Sequence, residues 1–164
     1  KICGARVVKP NQQVSSMKGL LKIHKKLPLL IAVPTTAGTG SETTLAAVIT
    51  DGGRRHKYPV NDFSLIPRYA VLDYRVTLGL PPALTATTGM DALTHAVEAY
   101  IGGSTTANTR NKAEYAVKLI YKYLKRAYDN GNDFKARDAM LRAAFYAVIA
   151  FSQSYVGYVH AIAH

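Results

Sequence analysis

Two pairs of side chains with metal-ligand chemistry stand four residues apart in segments of helical character. Asp91 and His95 form the first pair, and His160 and His164 form the second. Residues four apart on a helix share a face, so each pair can hold one ligand. A surface ion pair is the common explanation of a lone Asp–His pair, but histidines on an apolar helix need buried partners. Asp91, His95 and either His160 or His164 therefore predict a two-histidine, one-carboxylate metal site, which suits iron and also admits zinc.

A loop of small and hydroxyl residues, PTTAGTGSE at residues 34–42, is the third feature that could bind a ligand. It directly follows an apolar run, and ligands of open α/β sheets collect at the carboxyl ends of strands. Its backbone N–H and hydroxyl groups could donate to a phosphate. The loop contains neither G-x-x-x-x-G-K-[ST] nor G-x-G-x-x-G, so a plain turn remains the alternative. The residues alone therefore leave a phosphate-binding loop and a plain turn both open at positions 35–41.

The elements that must position these residues change in kind near residue 80. Short apolar runs at residues 29–33, 46–50 and 69–72 are each followed by Pro, Asp or Gly, which is typical of strands buried on both faces of a parallel sheet. Residues 17–26 predict a basic helix packed on that sheet. After Leu80-Pro81-Pro82, the pattern predicts helices over about 82–101, 106–128 and 134–152, and another from about 154. A domain boundary is therefore expected between residues 80 and 81.

The composition narrows the class of protein. Hydrophobic residues make up 48% of the 164 residues, which is enough for a core. The single cysteine excludes an internal disulfide and a thiolate metal cage. No signal peptide or membrane-length apolar run is present, so we expect a cytoplasmic protein without a membrane partner. The net charge of +11 raises the question of nucleic acid, but no zinc-finger, RNP or basic-zipper pattern accompanies it, and we expect no nucleic-acid partner.

Taken together, the motifs resemble the iron-containing alcohol dehydrogenase family. The resemblance rests on residues 34–42, on TATTGMDALTHAVEAY at 85–100 and on GYVHAIAH at 157–164, in the family's own order. Lys57, Asp73, Thr77 and Leu80-Pro81-Pro82 agree between these blocks. The likeness covers essentially the whole chain, although only helical character agrees between residues 105 and 152.

The resemblance implies a fold and a set of site residues. It implies a Rossmann-like α/β part followed by an all-helical domain, the dehydroquinate synthase-like architecture, truncated at both ends. Residues 1–80 would be the carboxyl-terminal part of a dinucleotide-binding domain, and 81–164 the amino-terminal part of a metal-binding domain. The family's Gly-Gly-Gly-Ser loop and fourth ligand would lie beyond the chain.

The roles carried over from the family fall into three groups. Asp91, His95 and His160 match iron ligands. His164 matches a histidine near the nicotinamide, with a catalytic role in proton relay or substrate positioning. The residues that match cofactor contacts are Thr35, Thr36, Ala37, Gly38, Thr39, Ser41, Lys57 and Leu78.

The implied activity is hydride transfer between an alcohol or aldehyde and NAD or NADP. The metal would be Fe²⁺, with Zn²⁺ as the alternative, and the complete enzyme a homo-oligomer, a dimer. The chain itself is expected to be inactive alone. Two alternatives remain, a zinc enzyme of the glycerol dehydrogenase or dehydroquinate synthase type and a non-enzymatic basic helical binding module. The block Gly89-Met90-Asp91-Ala92-Leu93-Thr94-His95 favours the alcohol dehydrogenase.

Overall fold

The computed structural model describes residues 1–53, 56–154 and 157–163. The chain forms two compact units, each built from two segments. The first unit comprises Lys1–Ala32 and Ser41–Ala70, and the second comprises Val33–Gly40 and Val71–His164. Among the described residues, no helix has the length and apolar character needed to cross a membrane.

The first unit combines a short helix with small sheets around a compact core. Helix α1 spans Ile2–Val8, and the strands are β1 Gly19–Leu20, β2 Ile31–Ala32, β3 Ala46–Asp51, β4 His56–Asn61 and β5 Tyr69–Ala70. One sheet has the order β1-β4-β3, with β1 parallel and β3 antiparallel to β4. The other is the parallel pair β2-β5. The core contains Ala5, Met17, Ile23, Tyr58, Val60 and Leu65.

Two expectations for this unit are wrong. The run at 46–50 is not a buried parallel strand, because β3 pairs antiparallel with β4 and leaves Val48 exposed. The predicted helix at 17–26 is absent, and the chain instead has a 3₁₀ turn at Val14–Met17 followed by β1. The backbone is left-handed at Gly19, Leu21 and His24, which ends helical continuation, and buried Asp62 accepts a hydrogen bond from the Ile23 N–H.

The predicted strands at 29–33 and 69–72 do pair in parallel, but they are not buried on both faces. The register places Ile31 beside Tyr69 and Ala32 beside Ala70. Leu29 is 67% exposed, and Ile31 and Tyr69 are also exposed. The prediction of two parallel strands is therefore confirmed. The prediction that both of their faces are buried is not, because no described residues cover them.

The second unit is the helical part that the sequence predicts. Its helices are α2 Pro82–Ile101, α3 Ala107–Asp129, α4 Phe134–Ser154 and α5 Tyr158–Ala163, with a 3₁₀ turn at Tyr74–Thr77 before α2. Pro82 occupies the first turn of α2, and the Thr106 side chain caps α3 by accepting from the Thr109 N–H. These bounds lie within a few residues of the prediction, except at α5, which begins four residues later.

Small side chains allow α2, α3 and α4 to pack closely. Alanines form most of the contact at Ala92, Ala96 and Ala99 of α2, and at matching positions of α3 and α4. Close packing of this kind fixes the rotation of α2 about its axis, because a shift would bring larger side chains into the contact. The face of α2 that carries Asp91 and His95 is therefore held in place.

A buried arginine joins the start of α2 to α4. Arg137 of α4 is 3% exposed and donates to the Thr85 hydroxyl at 2.7 Å and to the Leu80 carbonyl at 3.1 Å. It also donates to the Gly131 carbonyl at 2.9 Å. Burial lowers the pKa of its guanidinium. Arg137 therefore holds the chain that enters α2 by hydrogen bonds rather than by an ion pair.

Candidate metal centre

Three predicted metal ligands converge in the second unit. Asp91 and His95 lie one turn apart on α2, and His160 lies on α5. One donor atom from each residue can be chosen so that all three lie within 4.8 Å of one another. His95 is 7% exposed, while Asp91 and His160 are half-buried. The structure thus brings together residues that are 69 positions apart in sequence.

The contacts within the cluster orient these side chains. The Nε2 atom of His160 lies 3.5 Å from Oδ1 of Asp91. The His95 and His160 rings stack, with their centroids 4.3 Å apart and their planes at 20°. Phe151 of α4 contacts both rings, at centroid distances of 4.7 Å and 4.8 Å. An apolar ring therefore covers one side of the histidine pair.

The donor set fits a divalent first-row metal. Donors bonded to one tetrahedral ion at about 2.1 Å lie roughly 3.4 Å apart, so the three donors would have to close by up to about 1.4 Å to share an ion. One carboxylate and two imidazoles leave coordination positions for further ligands, a pattern that non-haem iron and zinc both accept. The residues present therefore fit the metal that the resemblance implies.

Glu98 is a site residue that the sequence prediction missed. It is 6% exposed, and its carboxylate lies 2.6 Å from Nδ1 of His160. It also accepts the Val159 N–H at 2.6 Å. Burial acts to raise the pKa of Glu98, but the hydrogen bonds from His160 and Val159 outweigh it and hold that pKa below its ordinary value. The sequence feature that could have identified Glu98 is its spacing, because it follows His95 by three residues and so lies on the same face of the helix.

The predicted cofactor loop packs against helices of its own unit. Gly38 is buried, and a Cβ atom there would lie 2.5 Å from the Thr88 carbonyl oxygen. Gly40 has φ +52° and faces Val148, while Ala37 packs on the α2–α4 core. Thr35 and Thr39 are exposed, and Thr36 is half-buried. Tight packing thus explains the glycines, and the exposed hydroxyls remain available to a ligand.

The remaining predicted contacts are distributed over both units. Ser41 and Lys57 belong to the first unit, where both are exposed. Leu78 belongs to the second, directly after the 3₁₀ turn at Tyr74–Thr77, and is half-buried. His164 lies outside the described residues.

The chain thus has a small α/β unit and a helical unit that carries a cluster of three potential metal donors. The model of the Fe-containing alcohol dehydrogenase family, C-terminal region, matches residues 85–164, and the model of iron-containing alcohol dehydrogenase matches residues 1–74. The chain belongs to the iron-containing alcohol dehydrogenase family. This assignment confirms the resemblance and the predicted fold class.

Individual relatives agree with the family models. An NAD-dependent methanol dehydrogenase of Bacillus methanolicus is 43% identical over 93% of this chain and 40% of its own length. The structure of an alcohol dehydrogenase from Oenococcus oeni matches with a TM-score of 0.91 and 39% identity, over 99% of this chain and 42% of that one. A sulfoacetaldehyde reductase from Bifidobacterium kashiwanohense, solved with NAD⁺, matches with a TM-score of 0.83 and 33% identity, over 92% and 40%. The chain thus spans about two fifths of the length of these relatives.

Proposed function

We propose that this protein transfers a hydride between a small primary or secondary alcohol and a nicotinamide cofactor, with Fe²⁺ held by Asp91, His95 and His160. The observation that carries the proposal is the convergence of these three donors within 4.8 Å in a chain of this family. The bound ion would supply Lewis acidity toward the alcohol or carbonyl oxygen of the substrate. The alcohol dehydrogenases among its relatives support this substrate class.

Each residue of the cluster has a separate task in this proposal. Asp91 supplies the negative charge of the donor set, which partly neutralises a divalent cation. His95 and His160 bind as neutral imidazoles, so their stacked arrangement places no cation beside another. Phe151 excludes water from one side of the two rings, which strengthens the electrostatic interactions of the site.

For the cofactor we propose NAD or NADP, because one relative is an NAD-dependent methanol dehydrogenase and another was solved with NAD⁺. In the second unit the proposed cofactor contacts are Thr35, Thr36, Ala37, Gly38 and Thr39 of the loop, together with Leu78. In the first unit they are Ser41 and Lys57. We keep His164 as the proposed histidine near the nicotinamide, with a catalytic role.

The domain assignment is also a proposal. We propose that residues 1–80 belong to the dinucleotide-binding domain and residues 81–164 to the metal-binding helical domain. The second compact unit nevertheless recruits Val33–Gly40, which shows that the loop packs with the helices. We further propose a cytoplasmic homodimer with no nucleic-acid or membrane partner. Tight nucleic-acid binding that falls steeply with salt would instead favour the basic binding module.

The activity is tested on protein expressed from its complete reading frame. Alcohol-dependent reduction of NAD is followed after the protein has been stripped with a chelator and reloaded anaerobically with Fe²⁺ or Zn²⁺. We expect turnover to require metal and to be highest with Fe²⁺. Higher turnover with Zn²⁺ would support the zinc-dependent glycerol dehydrogenase type. Turnover unaffected by metal removal would refute the proposal.

A further inference from the structure

The carboxylate of Glu98 is buried where α2 meets the start of α5. Its Oε1 atom accepts the Val159 N–H at 2.6 Å and the His160 N–H at 3.4 Å, and its Oε2 atom lies 2.6 Å from Nδ1 of His160. A buried carboxylate without partners would be strongly destabilising, so these three donors are needed to keep it ionised. Both oxygens are thereby directed at α5.

The contact with Nδ1 has a chemical consequence for the rest of the His160 ring. An ionised carboxylate only accepts hydrogen bonds, so Nδ1 must carry the proton and donate it to Oε2. In a neutral imidazole Nε2 then keeps its lone pair. Nε2 is the nitrogen that lies 3.5 Å from Asp91, on the side of the proposed metal. The Glu98 contact thus leaves a free lone pair on Nε2, the nitrogen that would bind the ion.

Gly157 makes this arrangement sterically possible. A Cβ atom at residue 157 would lie 2.7 Å from both Oε1 and Cγ of Glu98, and closer still to its Cδ. Those atoms belong to a side chain held by three hydrogen bonds, so they cannot move aside without breaking them. The absence of a side chain at Gly157 is therefore what lets Glu98 reach the backbone of α5.

We propose that Glu98 is a positioning residue of the metal site, which fixes the tautomer and the orientation of His160 and anchors α5 to α2. The proposal rests on the assignment of His160 as a metal ligand. A carboxylate that accepts from the distal nitrogen of a metal-binding histidine raises the basicity of that ligand and limits its rotation. Glu98 acts through His160 and does not need to contact the ion.

The substitution Glu98→Gln separates positioning from simple packing. A glutamine has the same shape and can still accept the Val159 N–H through its oxygen. Its amide nitrogen would face Nδ1 of His160, make that atom an acceptor and move the ring proton to Nε2. The affinity for Fe²⁺, measured anaerobically against a chromophoric chelator on the complete protein, should fall about 10- to 100-fold. The matched control is Glu114→Gln, because Glu114 is an exposed glutamate on α3 that pairs with Lys118.

The tautomer of His160 can be measured without metal, by the ¹⁵N chemical shifts of its ring in the metal-free protein. We expect a protonated Nδ1 and an unprotonated Nε2 in the natural protein, and the reverse in the Glu98→Gln variant. A proton on Nε2 in the natural protein overturns the proposal, even if the variant does not fold. Unchanged Fe²⁺ affinity in a folded variant also overturns it. If His160→Ala keeps full metal affinity, the metal assignment itself fails, which is a separate result.

Discussion

Among the three proposed metal ligands, Asp91 is the one that carries a negative charge. It is the anionic donor of the cluster, and its side chain is 36% exposed, so its loss should affect the metal more than the fold. Asp91→Asn keeps the shape but removes the charge that attracts a divalent cation. We expect Fe²⁺ affinity to fall tenfold or more while the thermal midpoint of the metal-free protein changes little. Chelator competition checks the affinity, and Asp138→Asn on the exposed Asp138–Arg142 pair is the control.

The cofactor loop requires a pair of substitutions, because its glycines already have a packing role. Thr39 is exposed, so Thr39→Val should raise the KM for NAD severalfold through loss of a hydroxyl donor, without loss of metal or stability. Gly38→Ala should instead destabilise the protein by about 1–3 kcal/mol, because its Cβ would meet the Thr88 backbone. Steady-state kinetics and thermal unfolding separate the two effects. An unchanged KM in Thr39→Val would remove Thr39 from the proposed cofactor contacts.

The three residues that converge could be picked out from the sequence, but the contacts that hold them in place could not. Asp91 and His95 are recognisable because a polar pair at i, i+4 is local information. His160 was recognised from its spacing of four residues to His164 and from the GYVHAIAH block at residues 157–164. The contact between Glu98 and His160 depends on how α5 meets α2, which spacing within either helix does not specify. The requirement for glycine at position 157 likewise becomes visible only when Glu98 is known to lie against it.

At the scale of elements, α2 positions the site, and Arg137 holds the beginning of that helix. Arg137→Met keeps an apolar stem but leaves the Leu80 and Gly131 carbonyls and the Thr85 hydroxyl without this donor. We expect a loss of about 3 kcal/mol in the free energy of unfolding. The exposed Arg142→Met, which breaks an ion pair within α4, should cost less than about 0.5 kcal/mol. Urea unfolding of both variants measures the difference, and equal losses would contradict the role given to Arg137.

Asp62 holds part of the segment 17–26, which was wrongly predicted to be a helix. It accepts hydrogen bonds from the Ile23 N–H and from the N–H and hydroxyl of Ser64. Burial acts to raise the pKa of Asp62, but the Ser64 and Ile23 hydrogen bonds outweigh it, so that pKa lies below its ordinary value. Its stabilising contribution is therefore present above the pKa of the unfolded chain, about 4, and is lost as the pH falls through the lower folded value.

The corresponding test is the pH dependence of stability in Asp62→Asn. At pH 7 the variant should be less stable by about 1–2 kcal/mol. The gap between natural protein and variant should narrow as the pH is lowered below about 4, because Asp62 then takes up a proton in the unfolded chain before it does so in the folded protein. Urea unfolding at pH 7 and pH 3 gives the two gaps. A gap that widens toward low pH would show that Asp62 is not held as a carboxylate.

Helices and strands differed in how far the sequence determined them. The starts of helices α2 to α4 were predictable from local signals, because Pro82 begins α2, the Thr106 side chain caps α3, and Asp133 accepts the Ala136 N–H at the start of α4. In strand β4, exposed Lys57 and Pro59 alternate with buried Tyr58 and Val60. This pattern is too polar to indicate a strand that is buried on both faces, so β4 was not predicted. The antiparallel pairing of β3 follows from that missed strand. The conformation of residues 17–26 depends on the hydrogen bond from Ile23 to Asp62, which is 39 residues away, so local propensity could not reveal it.

At the scale of the whole molecule, apolar surface on each unit predicts the behaviour of the chain alone. Tyr158 of α5 is 88% exposed, and Ile162 and Ile101 are also exposed. In the first unit, the β2-β5 pair exposes Ile31 and Tyr69. Surfaces of this kind favour self-association. We expect residues 1–164 expressed alone to bind a hydrophobic dye, to self-associate in light scattering and to reduce no NAD with added Fe²⁺. Turnover of roughly 1 to 1,000 per second would contradict this expectation.

The central claim, that Asp91, His95 and His160 hold one divalent metal, is tested most directly by metal content. Protein from the complete reading frame would be loaded anaerobically with Fe²⁺, desalted and analysed by plasma mass spectrometry, beside Asp91→Ala, His95→Ala, His160→Ala and the control Asp138→Ala. The account predicts about one iron per chain in the natural protein and the control, and sharply lower content in the three ligand variants. Unchanged content and affinity in those three variants would contradict the assignment of the site.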